Sequence, residues 1–194
     1  MSLTLITPPA WMAISLDDLK KHARITISDD DDYLYTLATA AIRWVENYIR
    51  GALITQTWDW KMDCGFPASV VNAGWIMPRS PLASVTHIKY VDADGAEQTL
   101  SASVYTVDAA SRPGRVVLAF DQQWPTTRDV INNVTIRFVC GYGNPAAIPR
   151  DIRQALLILA SHWYEHREPL ITGTIIGNVP MSVQSILAQY KKWF

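Results

Sequence analysis

The apolar residues of this chain recur at one period, switch to another and then switch back, and only a few fold classes accommodate that pattern. From the acidic run Asp29 to Asp32, Leu34, Leu37, Ala38, Ala41, Val45, Tyr48 and Ile49 fall at helical spacing and draw one stripe down a long helix. Gly51 stands where a left-handed residue is expected to close it. Upstream, Ser15 and Asp18 have capping-box spacing and open a short helix through about His22.

From Thr57 the period becomes two. Thr57-Trp58-Asp59-Trp60-Lys61-Met62 alternates polar with apolar, and Val85 to Val91 is rich in β-branched and aromatic residues. Asp92-Ala93-Asp94-Gly95 predicts a hairpin turn into a strand around Glu97 to Leu100, and Val104–Val107, Arg115–Phe120 and Val134–Cys140 read as further strands. Helical spacing returns after Gly143. Pro149 suits a first turn, Ile152, Ala155, Leu156, Leu159, Ala160 and Trp163 mark a helix to about Arg167, and Pro169 closes it. Ser182 is expected to cap a last helix carrying Val183, Ile186, Leu187 and Tyr190.

Helical segments on both sides of a β block predict an α+β chain. Residues 15–51 and 149–192 supply a helical core of about four helices, because each has a single apolar face that the other can cover. Residues 55–142 form an inserted antiparallel β module with short connections. With 194 residues, one domain over 1–194 is the expectation. Apolar residues at 49% against 18% charged supply enough burial to offset chain entropy.

Charge narrows the function. Seventeen Lys and Arg against 18 Asp and Glu leave a formal net charge of -1, which gives no field for gripping phosphate backbones. That argues against a sequence-reading DNA binder but permits a protein that only surrounds DNA. Eight Trp is a high count, and tryptophan is favoured in cores and at interface hot spots alike. Cys64 and Cys140 lie far apart in no metal-binding pattern, as buried thiols of a reducing compartment do. The start MSLTLITPPAW has no basic region and does not read as a signal peptide. No window approaches the roughly 18 apolar residues of a membrane span, so a cytosolic protein is expected.

Candidate chemistry concentrates in His162-Trp163-Tyr164-Glu165-His166, which matches the H-x-x-E-H pattern of inverted zinc peptidases. On a helix, His162 and His166 share a face, and Glu165 would be the base. A catalytic zinc needs a third protein ligand, and downstream the sole acid is Glu168. Trp163 falls on the apolar stripe, so the histidines are expected to flank it in contact with solvent or neighbouring chains, with no metal bound. The run Asp29 to Asp32 lacks the Gly and Glu of a calcium loop, since Leu34 and Ala40 occupy those places. There is no GxSxG elbow and no phosphate-cradling glycine loop, so no catalytic residue and no cofactor are expected.

Leu170 to Met181 is the segment that solvent accounts for least well. It places Leu170, Ile171, Ile175, Ile176 and Val179, with Thr172 among them, in a loop-like stretch where apolar surface either folds back on its own core or meets a partner. These six residues are the candidate partner-binding site.

The order of segments resembles the head-tail connector, or head-completion adaptor, proteins of tailed bacteriophages and prophages. The likeness rests on Ser15-Leu16-Asp17-Asp18-Leu19, Asp30-Asp31-Asp32, Ala40 to Glu46, Met77-Pro78-Arg79-Ser80-Pro81-Leu82 leading to Val85, and Tyr90-Val91-Asp92. It continues through Tyr105 to Asp108, Gly114-Arg115-Val116, Trp124-Pro125, Phe138 to Gly143, Ile148-Pro149 and His162 to Glu168. One departure is Tyr48-Ile49-Arg50-Gly51, where a Thr-Gly-Arg type ending is expected.

The resemblance implies a non-enzymatic protein of the virion neck, assembled in the host cytoplasm. It would form a homo-oligomeric ring of about twelve copies by cyclic symmetry, dock under the portal protein and extend the DNA channel. It would offer a platform to a tail-completion or stopper protein, with genomic DNA passing through without sequence-specific binding and no membrane involved. Another neck or tail-completion protein is the alternative, and a zinc peptidase built on His162, Glu165 and His166 is the alternative from a different class.

Overall fold

The computed structural model describes residues 1–63, 65–66, 74–166 and 179–192. The fold is α+β, in two compact units: Met1–Ala10 with Thr55–Tyr142, and Trp11–Ile54 with Gly143–Phe194.

The first unit is made of strands β1 (Ser2–Thr7), β2 (Gln56–Met62), β3 (Gly74–Ile76), β4 (Leu82–Val91), β5 (Glu97–Thr99), β6 (Tyr105–Asp108), β7 (Arg115–Leu118) and β8 (Val134–Cys140). One sheet has the order β1-β2-β8-β4-β5 and the other β3-β7-β6, and every pairing is antiparallel. β8 lies between β2 and β4 because its period-two pattern is clean: Val134, Ile136, Phe138 and Cys140 are buried, and the residues between them are half-exposed. With Met62 of β2 and Ile88 of β4 also fully buried, these strands form the sheet's core face, each large side chain contributing about 1.5–3 kcal/mol.

Tryptophan enters this core as an aromatic cluster. Phe66 stacks on Trp124 with centroids 4.9 Å apart, and Trp75 lies 5.4 Å from each of them. Asp92 builds the expected hairpin turn by accepting the Asp94 and Ala96 amides and the Gln98 side chain. Close approach accounts for Gly114, where an added Cβ would stand 2.5 Å from Leu82 Cβ.

Three features of this unit depart from expectation. β1 and β3 are strands that the sequence period does not predict, and the strand expected over Arg115–Phe120 ends at Leu118. A turn bonded from Gln122 N to Ala119 O, with Asp121 at φ 56°, follows that strand and leaves Phe120 98% exposed.

The second unit packs α1 (Leu16–Ala23), α2 (Asp31–Ile49), α3 (Arg150–Glu165) and α4 (Met181–Ala188). Ser15 Oγ accepts from Asp18 N at 3.0 Å, as its spacing requires. α2 buries Leu34, Ala38, Ala41, Val45 and Ile49, and α3 buries Ile152, Ala155, Leu156, Leu159 and Ala160. The alanines on both stripes leave room for the two helices to approach closely. Lys20 to Asp31 at 2.7 Å and Arg153 to Asp18 at 3.3 Å add ion pairs within the bundle.

Helix ends differ from the sequence reading in two places. The left-handed residue closing α2 is Arg50, φ 53°, not Gly51; Gly51 N donates to Glu46 O and Arg50 N to Asn47 O, a Schellman motif shifted by one residue. α4 starts at Met181 with Pro180 as its cap residue, so Ser182 lies inside the first turn and makes no cap. Among the described residues, no helix is long and apolar enough to cross a membrane.

Candidate functional site

α3 carries the sequence's sharpest chemical motif to its C-terminal end. His162 and His166 lie one turn apart with ring centroids separated by 4.5 Å, and His166 Nδ1 is 2.9 Å from the His162 carbonyl oxygen. Burial pushes the His162 imidazole below its ordinary value, the charge of His166 adds to that, and Glu165 opposes both. Glu165 itself is exposed. Among the described residues, no group of three or more His, Cys, Asp or Glu side chains is placed to hold a metal. The pair therefore lacks, among those residues, the third ligand that a zinc centre requires.

The middle of the motif has a structural use. Tyr164 Oη donates to Asp30 Oδ2 at 2.6 Å, and its ring lies 6.3 Å from that of Tyr33, tying the end of α3 to the start of α2. Asp30 makes no side-chain cap bond at the α2 N-terminus, and its carboxylate takes the tyrosine instead.

Of the six candidate partner-binding residues, Leu170, Ile171, Thr172, Ile175 and Ile176 lie outside the described residues. Val179 is half-buried, and its carbonyl accepts from Gln184 Nε2 at 3.4 Å. Met181, which opens α4, is 83% exposed.

The structure also exposes apolar surface that sequence reasoning did not single out. On the β unit these residues include Phe120, Ile131, Ile76, Leu5 and Ile6; on the helical unit they include Trp11, Ile27 and Tyr35. Tyr35 borders an open groove along α2 with Thr36, Thr39, Ala40 and Arg43. The chemistry of these residues is that of contact surface.

The sequence model of the family described as head completion protein matches residues 13–193. The chain belongs to the head completion protein family. No curated protein matches it. The fold of this head completion protein is shared with solved chains from gene transfer agent particles, each aligned over 100% of this chain and 97% of the other. One lies in the neck of an empty particle computed with C6 symmetry, at 24% identity and TM-score 0.78. A second comes from the virion of the native particle, at 23% and 0.79. A third lies in the native neck computed with C12 symmetry, at 23% and 0.73.

Proposed function

We propose that this head completion protein works in the neck of a tailed-phage or prophage particle as a connector whose copies close into a ring of about twelve by cyclic symmetry. The ring docks beneath the portal, extends the DNA channel and presents a platform to a tail-completion or stopper protein. Assembly takes place in the host cytoplasm. The chain makes and breaks no covalent bond. A net charge of -1 suits a channel wall that DNA slides past without being held.

One observation supports this reading above the rest: the family match spans residues 13–193, while chains of the same fold stand in particle necks computed with C6 and C12 symmetry. Leu170, Ile171, Thr172, Ile175, Ile176 and Val179 are proposed to dock on a neighbouring copy or on the portal.

Mass photometry and negative-stain microscopy of the concentrated protein, alone and with a portal, test the proposal. Closed rings support it. A chain that stays monomeric beside the portal, or turns over a peptide substrate, overturns it. Deleting residues 170–181 is expected to abolish assembly while the far-UV spectrum of the monomer is preserved; unchanged assembly would remove that segment from the interface.

A further inference from the structure

A ring of identical copies needs, on every copy, one surface and its complement. The five-stranded sheet holds such a pair. Its outer strands are β1 and β5, which among the described residues pair only with β2 and β4 respectively. The complement of an open strand edge is another open strand edge, because both present N–H and C=O groups at matching spacing.

Sheets usually guard their edges with charged side chains, proline or bulges. β1, with the sequence SLTLIT, has no charge and no proline, and Leu5 and Ile6 are each 41% exposed. A register shift between Leu5 and Thr7 marks a bulge, which confines the regular outer edge to Ser2–Leu5. At the opposite side of the sheet, all three residues of β5 are exposed.

We propose that β1 of one copy adds to β5 of the next, so that the sheet runs on from subunit to subunit; this rests on the ring reading above. The direction of the joint follows from topology. Four successive antiparallel pairings make β1 and β5 run the same way. Copies related by rotation about a ring axis keep that sense, so the joint is a short parallel ladder. A β1–β1 contact would instead be two-fold and would stop at a dimer. Three residues in β5 support only a few ladder bonds, so a single joint is reversible and gains persistence from ring closure.

The test is Thr4→Cys combined with Gln98→Cys in the full chain, oxidised at ring-forming concentration and run on a non-reducing gel. The expected result is a ladder of linked multimers from the double variant, and none from either single variant or the parent. In parallel, Leu5→Lys is expected to remove rings from negative-stain fields while leaving the melting temperature of the monomer unchanged. Rings that neither cross-link nor respond to Leu5→Lys overturn the β1–β5 joint and leave the ring reading standing. Dimers from Thr4→Cys alone overturn it in favour of a two-fold contact, and a parent chain that forms no ring overturns both.

Discussion

Asp59 on β2 and Arg137 on β8 stand directly opposite each other, joined by two hydrogen bonds of 2.7 Å, Arg137 Nε donating to Oδ1 and Nη2 to Oδ2. His87 of β4 is the next partner of Arg137 in the same row. The guanidinium holds the Asp59 carboxyl below its ordinary value, first through these bonds and then through its charge, with burial opposing. Asp59 is 7% exposed, so its carboxylate has little water to fall back on. Arg137→Met is expected to cost about 2–3 kcal/mol, because it leaves a buried charge unpaired. Urea unfolding at neutral pH checks this; a loss below half a kcal/mol, on the scale of surface pairs, would refute it.

Acid should act most visibly through Asp108. Its carboxylate accepts from Ser111 Oγ, Ser111 N and Arg115 Nε, and those bonds lower its pKa from 3.8 to about 2. A depressed folded-state value means that this contribution is complete above 3.8 and disappears as pH falls towards about 2. Asp108→Asn is therefore expected to destabilise at neutral pH and to flatten the stability profile in that acid window. Chemical denaturation at a series of pH values should show the variant and parent curves converging towards pH 2.

Arg24 closes α1 in the left-handed region at φ 55°, with Ile25 N donating to Lys20 O at 2.9 Å. The conformation carries a penalty for any residue with a Cβ, and the cap's hydrogen bonds use only backbone atoms. Arg24→Gly is expected to stabilise the protein by about 0.5–1 kcal/mol, or roughly 1–4 °C in Tm. Calorimetry of the two proteins decides it, with an unchanged or lower Tm counting against the cap argument.

Metal removal provides a check on the His162–His166 pair. Dialysis against a chelator is expected to leave both the melting temperature and assembly unaltered, since the two imidazoles have no third ligand among the described residues with which to make a structural or catalytic zinc site. One zinc per chain by elemental analysis, lost together with stability on chelation, would reverse that conclusion.

Elements with a strong local period were legible before the structure. α2 and α3 follow their apolar stripes and β8 follows its alternation, because each buries one face and the residue spacing records it. β2 is a strand where the alternation predicts one, but it buries Gln56, Asp59 and Met62 rather than one alternating face. β1 was not legible. Nearly all its residues are exposed, and what makes it a strand is backbone pairing with distant residues, from Ser2 with Lys61 to Thr7 with Thr57. Phe120 misled for the opposite reason: its type fits a buried strand, while a local turn puts it in solvent. Of the candidate interface, only Val179 lies among the described residues, and it is half-buried.

The sequence by itself determined the kind and order of the elements with a strong local period, the α+β class and the family likeness, since these depend on neighbours a few positions apart and on short motifs. Tertiary structure alone decided that β8 lies between β2 and β4, that Asp59 meets Arg137 across 78 positions, and which strands lie outermost in the sheet. Those outcomes depend on the register between distant segments, and register is selected by burial and pairing across the whole sheet.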